Sequence, residues 1–468
     1  MIKELTRRVL LLGVCTLLIT LLGCDIPSSQ GSTPPVRTTP LTLPPGTASP
    51  TSPPSSTDWT TYHRNNARTG LVENAPDPHQ LTRAWNVQLD GAVYAEPLVV
   101  GGRVIVATEG DSLYALDRNT GQVQWHINVG SPVPLSTLPC GDIDPLGITG
   151  TPVYDPATGL VFAVAEIQGP THILVGVDVV TGQVRVRRSV DIPAMEPQVH
   201  QQRAALALFQ NMVYVAFGGL LGDCGNYHGT VVASRTDGSG PLLSYQVPTP
   251  REGGIWAASG PSVDDAGHIY VAVGNGETTQ GDWDHSDSVL RLSPTLRLED
   301  GFAPTQWQQD NASDADLGSM GPILLPGGLI FADGKSGLGY LLHADALGGV
   351  GGQALVKPIC RAFGGAAALG SQLFVPCTDG LRQLVVGPGA NLSLGWRASA
   401  QINGSPIVGG HTVYSLDPTG TLYALDAASG TVRAMLSVGA TSRFATPTLS
   451  GNQVFVGTLA GVVAANIA

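Results

Sequence analysis

Short runs of β-branched and aromatic residues alternate with turn residues along most of the chain. From Ala95 to Val129 the sequence reads AEPLVVGG, RVIVATEG, DSLYALDRNTG and QVQWHINV. Each run is long enough for one strand, and glycine or asparagine at the junctions permits tight reversals. Pro97 is acceptable at the start of the first run because a first strand residue need not donate to the ladder. The pattern predicts four short antiparallel strands.

This four-strand unit recurs. The phrase LYALDRNTGQVQW, Leu113 to Trp125, returns as LYALDAASGTV, Leu422 to Val432. Eight copies of the unit begin at residues 95, 151, 204, 260, 321, 365, 405 and 446. The eighth copy lacks its fourth strand, whereas LTRAWNVQL, Leu81 to Leu89, is a strand without a unit. Because one such unit cannot bury both faces alone, we predict an all-β, eight-bladed β-propeller closed by this N-terminal strand.

The repeat resembles the pyrroloquinoline-quinone (PQQ) propeller repeat of quinoprotein dehydrogenases and of outer-membrane-assembly scaffold lipoproteins. The resemblance covers residues 81–468 and is carried by the LYALD phrase, the TG turn and the following tryptophan. Longer segments such as residues 140–155 and 253–276 are similar to a mostly uncharacterised bacterial branch of these PQQ-like lipoproteins. The resemblance implies the fold; it does not by itself imply an activity.

The N-terminus has the features of an export signal. Lys3, Arg7 and Arg8 precede an apolar run that ends in LLGC, which resembles a bacterial lipobox with Cys24 as the lipidated residue. We therefore expect a signal peptide at 1–23, a Pro/Ser/Thr-rich disordered tether at 24–57 and the propeller at 58–468. A plain secretory signal with an incidental cysteine, or a short membrane anchor, is the alternative. The expected location is the cell membrane, with the lipid-anchored protein facing outside the cytoplasm.

Composition narrows the range of partners. The chain contains 60 glycines, only 13% charged residues and a net charge of −12. Nucleic-acid binding is disfavoured because phosphate recognition needs a basic surface. We expect a monomer that contacts the membrane through its lipid and binds an unknown protein or small-molecule ligand.

The predicted long loops collect on one face of the ring. Segments 130–149, 190–202, 247–257 and 305–317 connect blades, and 219–229 and 276–287 join second to third strands; both kinds of loop open on the same side. Long loops on one face of a repeat ring are typical of a binding surface, although neutral variation in loop length would also produce them. This side is called the long-loop face, and the opposite side the tight-turn face.

Four cysteines follow Cys24 in the exported part. Their even number predicts two disulfides, which we pair as Cys140 with Cys224 and Cys360 with Cys377. Free or otherwise paired thiols remain open, because spacing does not fix connectivity.

Four residues are candidates for binding at the channel mouth: Glu96, Arg203, Trp256 and Asp316. In quinoprotein dehydrogenases PQQ lies between a tryptophan and a ring of two adjacent cysteines, beside a carboxylate-bound calcium. Trp256 could stack on such a ligand, the two carboxylates could hold a cation, and Arg203 could meet an anion. The same residues could equally be packing or mutually paired channel residues, and this chain has no adjacent cysteines.

Other motifs do not predict a site. GLIFADGKS, Gly328 to Ser336, lacks phosphate-loop spacing, and DNASDADLG, Asp310 to Gly318, lacks the closing glutamate of a calcium loop. No catalytic residue, metal ligand or certain cofactor is assigned, and PQQ with calcium remains an option. The sequence favours a non-catalytic, scaffold-like propeller; the alternative is a PQQ-dependent oxidoreductase acting on a sugar or alcohol.

Overall fold

Eight β-sheets, each built on four antiparallel strands, form a ring. The computed structural model describes Ser55 and residues 57–468. The expected signal peptide (1–23), lipidated Cys24 and nearly all of the tether (24–57) lie outside the described residues. The predicted eight-bladed propeller is confirmed.

Blades 1 to 4 follow the repeat boundaries read from the sequence. Their strands, from the channel outward, are Leu98–Val100, Arg103–Thr108, Ser112–Asp117 and Val123–Asn128 in blade 1; Val153–Asp155, Leu160–Ile167, Thr171–Asp178 and Val184–Ser189 in blade 2; Ala207–Phe209, Met212–Gly219, Thr230–Arg235 and Leu243–Gln246 in blade 3; Ser262–Val263, Ile269–Val273, Ser288–Leu292 and Leu298–Ala303 in blade 4.

Blades 5 to 8 complete the ring. Their strands are Ile323–Leu325, Leu329–Ala332, Leu338–His343 and Leu355–Pro358 in blade 5; Ala367–Leu369, Gln372–Val375, Arg382–Gly387 and Asn391–Arg397 in blade 6; Ile407–Gly409, Thr412–Leu416, Thr421–Asp426 and Val432–Ser437 in blade 7; Thr448–Ser450, Gln453–Thr458, Gly461–Ile467 and Leu81–Gln88 in blade 8. Short additional strands are His200–Gln201, Gly349–Val350 and Leu71–Val72.

The outer strand of blade 8 comes from the opposite end of the chain. Leu81–Gln88 pairs antiparallel with Gly461–Ile467, with Leu81 opposite Ile467 and Gln88 opposite Gly461. This pairing removes the free edge that the last repeat would otherwise expose. Closure by the N-terminal strand is therefore confirmed.

The repeated phrase is explained by a contact between neighbouring blades. The indole N–H of Trp396, on the outer strand of blade 6, donates to the Ala427 carbonyl of blade 7 at 3.0 Å. Gly430, in the adjacent turn at Ser429–Gly430, has φ +71°, and a Cβ there would lie 2.5 Å from the Trp396 ring. Trp85 packs in the same way against Gly121. Glycine in the turn and tryptophan in the preceding blade are thus two halves of one contact.

A buried histidine in blade 2 lies between two carboxylates. His172 Nε2 is 3.3 Å from Glu166, and His172 Nδ1 is 2.7 Å from Asp191. Burial opposes the charged imidazolium, but the two carboxylates outweigh it and raise the pKa of His172 to about 10. The imidazolium is therefore a charged structural element at neutral pH.

The segment before the closing strand crosses the channel. Residues 57–72, called the strap, hydrogen-bond to the inner strand of every blade. The Trp59 N–H donates to the Val99 carbonyl at 2.7 Å in blade 1, and the Ser450 hydroxyl of blade 8 donates to the Thr57 carbonyl at 2.7 Å. Contacts in blades 2 to 7 involve Tyr154, Leu208, Val263, Leu324, Ala368 and Val408.

These strap contacts lie at the middle or the tight-turn end of the inner strands. Val99, Ala368 and Val408 are the central residues of three-residue strands, whereas Val263 and Ser450 are the last residues of theirs. The strap therefore lies within the channel at the level of the inner strands. The sequence boundary at residue 58 placed this segment in the propeller but did not predict its role.

Helical structure is sparse. The described part of the chain contains one α-helix, Trp307–Ala312, and the 3₁₀ turns Tyr62–Arg64, Leu135–Thr137, Pro197–Val199 and Leu317–Ser319. Among the helices in these residues, none has the length and apolar character needed to cross a membrane.

Candidate functional site

The strap forms the floor of the long-loop mouth. Tyr62 and His63 are fully buried in the channel, and their rings stack at a centroid distance of 4.2 Å. The Tyr62 hydroxyl lies 3.2 Å from the Thr446 hydroxyl, and the His63 backbone N–H donates to Glu96 at 2.8 Å. The ring therefore has an open mouth on one face and strap residues beneath it.

A cavity of about 220 Å³ opens at this mouth. Four of the six predicted long loops contribute to it, together with loops of blades 5, 7 and 8. The lining side chains of greatest chemical interest are Asp142, Arg203, Asp223, Tyr227, Trp256, Asn275, Asp316, Lys335, Phe363, Arg443 and Phe444. The structure thus places Arg203, Trp256 and Asp316 around one cavity on the predicted face.

Arg203 and Trp256 are neighbours in the wall of the cavity. The Arg203 guanidinium carbon lies 5.3 Å from the Trp256 ring centroid and 4.4 Å from that of Phe444. Cation–π contacts of this kind contribute about 0.5–2 kcal/mol, depending on desolvation. Burial lowers the pKa of Arg203 to about 10, with Asp142 opposing and Arg443 adding to the effect. The guanidinium is still charged at neutral pH.

Asp316 is held in a buried ion pair. Its Oδ2 lies 2.5 Å from Lys335 Nζ, and its Oδ1 accepts the Asn275 backbone N–H at 2.5 Å. Burial raises the pKa of Asp316 despite the opposing charge of Lys335. Asp316, which the sequence suggested as a ligand-binding carboxylate, therefore already has its partners within the protein. Its ion-pair partner is Lys335, not Arg203.

Glu96 lies deeper than the other candidates. It is 1% exposed and borders a cavity of about 20 Å³ beside Tyr62 and Arg203. Burial raises its pKa well above the usual range, although the His63 N–H bond opposes the shift. Glu96 thus connects the strap to blade 1 and is separated from the open cavity.

Both predicted disulfides are present. Cys140 and Cys224 are joined with their Cα atoms 6.2 Å apart, and Cys360 and Cys377 with theirs 5.6 Å apart. The first links two long loops beside the cavity and packs with Ile143 and Leu220. It therefore fixes loops that line the mouth.

The PQQ–calcium arrangement implied by the family resemblance does not fit these residues. Asp316 is paired with Lys335, and Glu96 is sealed beneath the mouth. Within residues 57–468, the group of three potential metal ligands is Cys360, Cys377 and Asp379, and its two cysteines form a disulfide. The cavity is also smaller than the roughly 300–1,000 Å³ usual for drug-sized ligands. No reaction step through PQQ follows from this geometry.

Sequence reasoning missed several residues of the site. Lys335 was considered only within a rejected phosphate-loop motif, while Arg443, Phe363 and Phe444 were not singled out. Phe363 and the Arg443–Phe444 pair occupy between-blade loops too short to attract attention. Their position after an outer strand, on the same side as the long loops, was the signal that could have identified them.

The fold and the cavity define the chain as a β-propeller of eight four-stranded blades with one elaborated face. A family profile described as "Outer membrane protein assembly factor BamB" matches residues 77–216 and 390–467. The two matched segments meet through the closing blade. The resemblance to PQQ-like β-propellers predicted from the repeat is confirmed, and the matched segments cover just under half of the chain.

Individual relatives agree with this assignment. Outer membrane protein assembly factor BamB from Yersinia pestis is 26% identical over 258 residues, covering 55% of this chain and 52% of the relative. The match therefore spans about half the length of that curated relative.

Solved structures match more of the chain at lower identity. Quinohemoprotein alcohol dehydrogenase ADHIIG from Pseudomonas putida HK5 gives a TM-score of 0.70 at 13% identity, covering 88% of this chain and 80% of the other. BamB from Moraxella catarrhalis gives 0.58 at 14%, covering 82% and 99%. At these identities the structures establish the fold alone.

Proposed function

We propose that this protein is an extracytoplasmic, lipid-anchored propeller that binds a partner protein or ligand on its long-loop face without catalysing a reaction. Three elements support the location: the LLGC motif at Cys24, the Pro/Ser/Thr-rich segment after it, and the similarity to proteins named as outer-membrane assembly factors. In this proposal the signal peptide is 1–23, the tether 24–57 and the propeller 58–468, and the protein acts as a monomer.

The engagement of Asp316 by Lys335 is the observation that carries the non-catalytic assignment. A carboxylate that acts as a general base or metal ligand must be able to reach the substrate or ion. Asp316 is instead engaged in an ion pair with Lys335, and Glu96 is buried beneath the mouth. What remains at the mouth is a shaped, charged and aromatic surface, which serves binding.

The second candidate is a PQQ-dependent oxidoreductase acting on a sugar or alcohol. Trp256 beside Arg203 is the feature that favours it, because an aromatic face and a cation are both useful to a planar anionic cofactor. The two functions are separated by incubating the full chain with PQQ and calcium, recording its absorbance and assaying dye-linked oxidation of a sugar and alcohol panel. We expect neither a bound-quinone spectrum nor turnover; turnover would establish the second candidate.

The binding face is tested by site-specific photo-crosslinking in cells that produce the protein. A photoreactive residue replaces Leu221, which is 56% exposed at the cavity rim, or, as a matched control, exposed Asn119 on the tight-turn face. We expect a defined adduct from position 221 and none from position 119. Adducts from position 119 alone would show that the partner binds the tight-turn face and would contradict the proposal.

Anchoring is tested separately with Cys24→Ala. The variant should leave the membrane fraction or accumulate unprocessed, because the lipidated thiol is absent. Membrane partitioning and processing identical to the wild type would remove the lipoprotein assignment.

A further inference from the structure

Basic side chains come together at the mouth of an acidic protein. The chain has 24 lysines and arginines against 36 acidic residues, a net charge of −12. Even so, Arg203, Lys335 and Arg443 all line the same cavity, and the charge of Arg361 is close enough to lower the pKa of Arg443. Asp142, Asp223 and Asp316 line the same cavity, so what matters is which of the cations lack an ion-pair partner.

Two of these cations share one aromatic ring. The Arg203 guanidinium carbon is 4.4 Å from the Phe444 centroid, and that of Arg443 is 4.8 Å from it. Their charges are therefore separated by no more than the sum of these two distances. Each is also placed by a second ring, Trp256 for Arg203 at 5.3 Å and Phe363 for Arg443 at 4.3 Å. Aromatic contacts hold two like charges together in a partly desolvated mouth.

No protein carboxylate forms an ion pair with either arginine among the described residues. The charge of Asp142 reaches both and opposes the lowering of the pKa of Arg203 and of Arg443, but it does not bind them directly. The other two wall carboxylates have their own partners: Asp316 is bound by Lys335, and Asp223 accepts the Tyr227 hydroxyl at 2.6 Å. A guanidinium stacked on a ring keeps its N–H donors at the edge, where they suit a carboxylate. The two arginines thus present unused donors to the cavity.

The size and walls of the cavity limit what can bind there. About 220 Å³ accommodates a compact molecule, and Trp256, Phe363 and Leu220 offer apolar contacts to its carbon atoms. We propose that Arg203 and Arg443 form a binding site for a compact organic anion carrying one or two carboxylates. This inference rests on the proposed function, since it assigns a ligand class to the same face.

The site is tested by calorimetric titration of the full chain with glutarate, its neutral analogue glutaramide and inorganic phosphate. Glutarate should bind at least tenfold more tightly than glutaramide, which lacks the charge. It should also bind more tightly than phosphate, which lacks a carbon body. Binding should weaken as sodium chloride is raised, because the interaction is electrostatic.

Variants assign the binding to the two arginines. Arg203→Gln and Arg443→Gln should each weaken glutarate binding roughly tenfold or more, the effect expected for losing a charge-assisted contact. Arg185→Gln, on the outer strand of blade 2 with a side chain 54% exposed, is the matched control and should bind normally. Arg443 is exposed, so its variant keeps the test valid if Arg203→Gln misfolds.

Any one of four results would overturn the proposal. Glutarate does not bind, glutaramide binds as tightly as glutarate, phosphate binds as tightly or more tightly, or both arginine variants keep the wild-type affinity. None of these results affects the photo-crosslinking at position 221 or the fractionation of Cys24→Ala. Conversely, loss of the crosslink would refute partner binding while leaving the titration intact. The anion site and the proposed function can therefore fail independently.

Discussion

The strap makes its strongest single attachment through Arg68, which we expect to be essential for its retention in the channel. Arg68 is 1% exposed. Its guanidinium donates to the carbonyls of Pro261, Tyr62 and Leu206, each at 3.0 Å, and to the Thr61 hydroxyl at 2.8 Å. These bonds connect the strap to blades 3 and 4. The perturbation is Arg68→Met, which keeps the length of the side chain and removes every donor.

The cost follows from the acceptors left behind. Three buried carbonyl oxygens lose their arginine donor, and only Leu206 retains another, the Thr61 hydroxyl at 3.5 Å. At about 1 kcal/mol for each of the two stranded carbonyls, Arg68→Met should destabilise the attached strap by roughly 2 kcal/mol. The lower end of the range applies because the variant also recovers the desolvation cost of a buried guanidinium. An energy of this size favours strap opening by roughly 30-fold.

Hydrogen exchange reads this opening directly. The amides of Val263, Leu324 and Ala368 donate to strap carbonyls, at 2.9, 3.1 and 2.9 Å. In Arg68→Met we expect exchange at these amides to be faster by up to roughly 30-fold, with unchanged exchange between the second and third strands of the same blades. Arg185→Met, with its exposed side chain, is the control. Wild-type exchange rates at all three amides in a folded Arg68→Met protein would refute the reasoning.

Three further predictions concern the ring. Deleting Leu81–Gln88 should lower the melting temperature far more than deleting residues 25–50, because it exposes the edge of the closing blade; equal melting temperatures would contradict this closure. Gly430→Ala should cost more stability in urea denaturation than Gly389→Ala: both positions have φ near +70°, but only Gly430 would press a Cβ against a tryptophan, whereas Gly389 faces open space. Because the pKa of His172 is raised to about 10, the stability that its charge contributes is complete below pH 6.5, declines as the pH rises and is lost above about pH 10. The difference in urea midpoint between His172→Gln and the wild type should therefore shrink over this range. A difference that does not change with pH would count against a charged imidazolium.

The sequence allowed the ring to be predicted because its information is local and repeated. The contact between a turn glycine and a tryptophan of the preceding blade, as in Gly430 and Trp396, recurs in other blades, so its sequence signal occurs several times along the chain. The strap has no such repetition: residues 57–72 lack strand periodicity, and their partners are distributed over all eight inner strands.

The mouth was predicted only in part for a similar reason. Arg203, Trp256 and Asp316 could be placed on one face from loop position alone, but their actual partners come from other blades. Lys335 meets Asp316, and Phe444 meets Arg203, through the curvature of the closed ring. Such contacts depend on distances across the channel, which the spacing of residues along a single chain does not encode.

The strap also determines how the protein responds to tension. A force applied on the N-terminal side of Thr57 reaches the strap before it reaches any blade. Because the strap bonds to successive inner strands, it would be peeled away contact by contact, and the freed segment from Thr57 to Gln80 would have a fully extended length of roughly 80 Å. Only then would the load fall on Leu81–Gln88, the strand that closes the ring. The strap would in this way delay the transfer of force from the N-terminal side to the strand that closes the ring.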